Sequence, residues 1–293
     1  MANDAASGFI LEFEKNAGSI INDIDRSKKY RAGIAVMAQK AVETSNTAYL
    51  DAAVRFTAKV IDDHDRSKAF VDIVRGTARV AINTADADLA AKSLVLSANT
   101  EAGHNRSHAL QGVVSAMAEL GAKTDDSVIF EKSIELADTI EYDTYRSSAW
   151  RSIARTQYSN DNISGALESA DQAKQIIDMS RIITHEIYRA SAYVDLAKLF
   201  IDLGHEDIAR DCITKAADSA AHLEDEFDRS SIFQSIAETQ VKIGARTKDN
   251  QMLEAAIKSF NQITREYYRT SARQTLMSVL SNLKEAELAK RLS

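Results

Sequence analysis

Hydrophobic positions in this chain do not alternate as they would in a half-buried strand; they recur four, seven and eight residues after a series of arginines, which is the spacing of one helix face. Four residues after Arg26, Arg66, Arg106, Arg146, Arg189 and Arg229 stand Tyr30, Phe70, Leu110, Trp150, Tyr193 and Phe233, and Arg269 is followed at that distance by Arg273. Seven residues on come Gly33, Ile73, Val113, Ile153, Leu196, Ile236 and Leu276, and eight on come Ile34, Val74, Val114, Ala154, Ala197, Ala237 and Met277. The pattern predicts a helix that starts near each arginine. A second stripe follows at offsets of 27, 28, 31 and 34, as in Ala53, Val54, Thr57 and Val60 or Ala256, Ile257, Phe260 and Ile263, and predicts a second amphipathic helix per period.

The arginines sit in a recurring hexamer: "DRSKKY", "DRSKAF", "NRSHAL", "YRSSAW", "YRASAY", "DRSSIF" and "YRTSAR", with gaps of 40, 40, 40, 43, 40 and 40 residues between successive arginines. Such a period marks a helical-repeat array in which neither helix of a pair can bury its stripe without the neighbouring pair. The expected architecture is all-α, an α/α superhelix of about seven antiparallel helix pairs forming one helical-repeat domain over residues 1–293. Repeats are expected to start near 25, 65, 105, 145, 188 and 228, with 1–24 an N-terminal capping helix and 268–293 C-terminal capping helices. Gly121, Gly204 and Gly244, fifteen residues after their arginines, are expected to end first helices in left-handed turns. The three residues added between Arg146 and Arg189 are expected around "YSNDNISG" or "MSRIITHE".

On this periodicity the chain resembles the tetratricopeptide-like (TPR-like) superfamily of α-solenoids, and HEAT-like repeats share a period near 40. The resemblance implies a right-handed superhelix with a groove that holds a partner protein.

Composition sharpens the fold: the chain has no proline, only 10 glycines and 45% apolar residues, which suits helices and a sizeable core. Chemistry is sparse. No phosphate-binding glycine loop, strand-linked dinucleotide motif or zinc-protease helix motif occurs, so no enzyme and no cofactor is expected. His104 and His108 lie one turn apart but lack a third ligand nearby, and His64 shares the repeat position of His104. The single cysteine, Cys212, reads as a core residue of a helix, Trp150 as a member of the buried aromatic column, and the pairs Asp62-Asp63 and Asp125-Asp126 as helix-end caps. The opening residues lack the pattern of a secretory signal and no apolar run reaches bilayer length, so a cytoplasmic location without membrane contact is expected.

An acid stands three residues before six of the seven arginines: Asp23, Asp63, Asp143, Glu186, Glu226 and Glu266. At that spacing it caps the helix start and pairs with the arginine, whose fork is also placed to reach a carboxylate on the preceding pair. The motif arginines are therefore read as stacking devices in preference to a ladder for a polyanion. Function is expected in outward columns, five and nine residues after the motif arginine, where Arg31, Arg75, Arg151, Arg155 and Lys198 would form a basic track on a protein of net charge −7. The expected role is a scaffold or adaptor whose concave face holds another protein through an acidic segment. The alternatives are a stably bound accessory subunit of an enzyme complex and a single-stranded RNA reader; the acidic total makes nucleic acid the less favoured partner, and self-association stays open.

Overall fold

The computed structural model describes residues 2–180 and 185–292, and every regular element among them is an α-helix. By their contacts the helices form two compact units, Met1–Asn160 and Asp161–Ser293. The first holds α1 (Ala2–Gly18), α2 (Asp23–Thr44), α3 (Ala48–Thr57), α4 (Asp63–Thr84), α5 (Ala87–Ser97), α6 (His104–Thr124), α7 (Ser127–Asp138) and α8 (Asp143–Ser159). The second holds α9 (Ile163–Met179), α10 (Glu186–Asp202), α11 (Glu206–Ala221), α12 (Glu226–Thr247), α13 (Asn250–Phe260), α14 (Glu266–Asn282) and the short α15 (Ala286–Lys290).

Each unit is an all-α solenoid of helix hairpins. In the first unit α2 packs on α4, α4 on α6 and α6 on α8, and each of the first three also packs on its own second helix. In the second unit α10 packs on α12 and α12 on α14, with α11 and α13 as their hairpin partners. The apolar columns explain this layering: Ile73, Val113, Ile153, Leu196, Ile236 and Leu276 are all fully buried, as are Ala53, Ala256, Ile257 and Phe260 of the second stripe. The N-terminal helix α1 takes the place of a second helix, with Ala17 buried and Phe13 packed against Tyr30 and Phe56.

Two kinds of repeat share the 40-residue period. First helices α2, α4, α6 and α12 have 22, 22, 21 and 22 residues, and their partners α3, α5, α7 and α13 have 10, 11, 12 and 11. The successive helices α8 and α9, one in each unit, have 17 residues each, and the hairpin α10–α11 has 17 and 16. About one helical turn has moved from the first helix to the second. The left-handed residue that follows the first helix moves with it, from Ser45, Ala85, Asp125 and Lys248 after the long helices to Asp161, Gly204 and Lys284 after the 17-residue α8, α10 and α14.

This corrects the reading of the glycines. Of these three, Gly204 alone adopts a positive φ, +81°; Gly121 and Gly244 lie inside α6 and α12. A Cβ on Gly121 would stand 2.7 Å from the backbone nitrogen of Phe130, and one on Gly244 would stand 2.7 Å from Leu253 Cδ2, so these two serve the close approach of the second helix. As for the extra residues between Arg146 and Arg189, α8 matches α10 in length, and the links to α9 and α11 are equally short. The addition therefore falls at the end of α9 and in the link to α10, the "MSRIITHE" stretch, whose residues 181–184 lie outside the described ones.

The recurring Arg-Ser pair ties the hairpins together. Arg26, Arg66, Arg106 and Arg269 each donate to a carbonyl six residues upstream, on Ile20, Val60, Thr100 and Ile263, at 2.8, 2.9, 3.0 and 3.0 Å. The expected carboxylate of the preceding pair is thus replaced by backbone oxygens at the end of the preceding second helix, acceptors the helix cannot satisfy itself. Asp23, Asp63 and Asp143 pair with their own repeat's arginine as expected. They are the first helical residues, however, and the side-chain caps are Asn22, Asp62 and Asp225, one position earlier than the acids of their repeats.

The serine works in the other direction. Ser27, Ser67, Ser107 and Ser230 are buried, and each hydroxyl accepts from a backbone N–H at the entry of the following repeat: Ile61, Glu101, Tyr142 and Thr264, at 2.9, 2.7, 3.2 and 3.2 Å. The hexamer recurs because one residue closes the turn behind it and the next holds the turn ahead. Ser67→Ala removes the acceptor of both the Glu101 N–H and the Asn105 side chain and should cost about 1–3 kcal/mol in urea unfolding. Thr270, at the equivalent position of the last hexamer, is exposed and donates to its own Glu266; Thr270→Ala should change stability by less than about 0.5 kcal/mol.

Candidate functional site

In the first unit the outward faces of α2, α4 and α6 bound a groove of about 490 Å³. Its floor is made of small residues, Ala38, Gly76, Gly112 and Ala116, which keep the helices close and leave the space above them open. Its walls carry Gln39, Arg75, Arg79, Gln111, Ser115 and Glu119. The columns five and nine residues after the motif arginine thus converge here through Arg75, Gln111 and Ser115.

Of the five basic residues singled out from the sequence, Arg75 lines the groove, and Arg31 sits at its margin, pairing at 2.8 Å with the groove residue Asp72. Arg151 and Arg155 lie on α8 of the same unit, half-buried and exposed respectively, and Lys198 is exposed on α10 in the second unit. Arg79, which the sequence reading passed over, also lines the groove and meets Glu119 at 3.4 Å. Its offset of thirteen from Arg66 lies outside the two columns that were followed.

The cations of the groove differ in what surrounds them. Arg31 and Arg79 have carboxylates at hand, whereas Arg75 donates through Nη1 to Nε2 of His108, 2.9 Å away, and makes no ion pair with a carboxylate among the described residues. The bare backbone of Gly112 makes room for this: a Cβ there would lie 2.9 Å from Arg75 Cγ. Burial first, then the charges of Arg75 and His104, pull the His108 imidazole down to about 4, so at neutral pH it is uncharged and able to accept. Its ring stacks on Tyr145 at 4.9 Å, and the Tyr145 hydroxyl lies 2.8 Å from His104 Nε2. Tyr145 thus touches both histidines, His108 through its ring face and His104 through its hydroxyl. No group of three or more His, Cys, Asp or Glu side chains arranged to hold a metal occurs among the described residues.

The second unit contains a polar cluster between α9, α10 and α11. Asp178 accepts from Lys174 at 2.8 Å, from Tyr193 at 2.6 Å and from Lys215 at 3.0 Å, and both lysines also approach Asp211. Burial alone would raise the Asp178 carboxyl, but these hydrogen bonds and the charge of Lys174 hold it below the usual range. Burial and the bond to Asp178 push the Tyr193 phenol up. Tyr193 belongs to the aromatic column, and Trp150 in the same column donates to Asp138 on α7, so a polar tip in this column finds an acid on the preceding second helix. Cys212 lies beside this cluster, fully buried, its thiol pushed up to about 12 chiefly by burial.

The sequence reading also missed the N-terminal edge of the first helices. Two residues before the motif arginines stand Ile24, His64, His104, Thr144, Ile187, Phe227 and Tyr267, and in this column Ile24, Phe227 and Tyr267 are large side chains left exposed. The signal was the large apolar residues at both ends of a column outside either buried stripe.

The fold and groove define a helical-repeat solenoid with a polar, arginine-bearing first-helix face. No protein-family model and no curated protein matches the chain. Among solved structures it is similar to a circular tandem repeat protein with novel repeat topology and enhanced subunit contact surfaces, at 13% identity over 98% of this chain and 87% of that one, with a TM-score of 0.41. It is also similar to Ton1535 from Thermococcus onnurineus NA1, at 11% identity over 92% of this chain and 96% of that one, with a TM-score of 0.28. No described helix is long and apolar enough to cross a membrane.

Two outcomes follow from the titrating groups. His108 has a folded pKa of about 4 against an ordinary 6.5, so the unfolded chain takes up this proton first as pH falls. Stability should drop from about pH 6.5 to about pH 4 and level off below. His108→Gln should flatten that part of the profile in denaturation series at stepped pH. For Cys212, a disulfide-exchange thiol probe at pH 8 should react with the native protein only as fast as the chain opens, and promptly in denaturant.

Proposed function

We propose that the protein is a TPR-like adaptor without catalytic activity of its own, working in the cytoplasm, which holds an acidic segment of a partner protein on its first-helix face. The observation that carries this reading is Arg75: a guanidinium opening into the groove, hydrogen-bonded to a neutral histidine in place of a carboxylate. A carboxylate of the partner would meet a cation not already neutralised by an acid of the fold, and the amides of Gln39 and Gln111 stand beside it to take the partner's backbone. Arg31 and Arg79, with Asp72 and Glu119 beside them, frame the groove and contribute less net charge.

The test is a pull-down from native extract read by mass spectrometry. It compares wild type with Arg75→Glu and with the combined Arg75→Glu, Arg151→Glu, Arg155→Glu, Lys198→Glu variant, each first shown by circular dichroism to be folded. Loss of a specific protein from Arg75→Glu is the expected result. Retention of the same proteins by both variants overturns the acidic-segment reading.

A further inference from the structure

In the second unit the N-terminal ends of α12 and α14 carry aromatic side chains that the fold does not use. Tyr30, Trp150, Tyr193 and Phe233 fill buried positions, yet Phe227 is 56% exposed and Tyr267 is 81% exposed. Tyr268 joins them into one patch: its ring centroid lies 5.3 Å from that of Phe227 and 5.3 Å from that of Tyr267, both edge to face. Large rings held in water at this level mark contact surfaces, since aromatic anchors carry much of the energy of protein interfaces.

Around the patch the chain exposes Glu224, Glu226 and Glu266 together with one cation, Arg265. Arg229 and Arg269 turn toward the fold, to the carbonyls of Leu223 and Ile263, and Arg269 also lies over the Phe260 ring at 4.5 Å. Arg265 meets Glu226 at 3.3 Å. Glu224, three residues before Phe227, and Asp228, next to it, make no ion pair among the described residues. Rings with open faces beside unpaired acids suit a cation that stacks on the first and pairs with the second.

We infer that this edge of the second unit is a docking surface for a basic peptide segment of a partner protein, with Lys or Arg side chains resting on Phe227 and Tyr267 between the carboxylates of Glu224 and Asp228. The surface is separate from the groove of the first unit and opposite to it in the charge it selects, and it stands whether or not that groove holds an acidic segment.

Fluorescence polarisation on the full-length protein tests this, using a fluorescein-labelled peptide of repeating Lys, Ser, Arg and Gly in about 0.15 M salt, where diffuse attraction is screened beyond roughly one Debye length. The expected result is saturable binding, weakened about tenfold by Phe227→Ala with Tyr267→Ala, which leaves the net charge unchanged. Glu224→Gln with Asp228→Asn, which leaves the rings in place, should weaken it likewise. Absence of binding overturns the proposal, as does binding that survives the ring substitutions, which would show attraction to net acidity alone. Sedimentation velocity adds a further check: a wild-type oligomer that the ring substitutions dissolve would mean a second copy covers the patch, and that too overturns the proposal.

Discussion

An α-helix ends in carbonyls that its own residues cannot satisfy, and this chain must hide such ends once per repeat. The rest of the fold depends on how it does so. An arginine from the next first helix reaches back over the turn, and the serine beside it accepts from the backbone one repeat further on. Two adjacent residues thereby fix the entry of one helix and the spacing to the next. A serine hydroxyl buried at this place tolerates little displacement, so the hairpins keep their register although the side chains on their outer faces vary freely.

That division of labour explains where the candidate sites fall. The motif arginines have their charge committed to backbone oxygens and their own acids, and so they leave the outer faces electrically unburdened. In the first unit Arg75 is left to act outward from the floor of small residues. In the second, Arg229 and Arg269 donate to backbone carbonyls, and Glu224 and Asp228 near Phe227 make no ion pair among the described residues. The same structural commitment yields a basic feature at one place and an acidic one at another.

The hairpin array and its buried columns were legible in the sequence because burial on a repeating scaffold imposes a strict period, and Ile73, Val113 and Ile236 each recur in phase. The roles of Gly121 and Gly244 were not, since an offset cannot distinguish a turn that needs a positive φ from a crossing that needs an absent Cβ. The pairing of Arg31 with Asp72 was equally hidden: both residues are visible, but the lateral spacing of α2 and α4 decides that they meet. The edge around Phe227 was hidden because its column mixes apolar residues with His64, His104 and Thr144 and so carries no periodic burial signal.

Within each unit the break between the two helices of a hairpin falls once on Gly204 and otherwise on Ser45, Ala85, Asp125, Lys248 and Lys284, non-glycine residues at φ values from 52° to 63°. A left-handed backbone at such residues costs of the order of 1 kcal/mol, so local preference does not choose these points. Packing against adjacent hairpins does. Each break is thus a decision taken jointly with its neighbours, and a hairpin stripped of them would be free to slide its corner along the chain. Melting should then travel inward from an end as an advancing front, with each loss loosening the corner of the next hairpin in line.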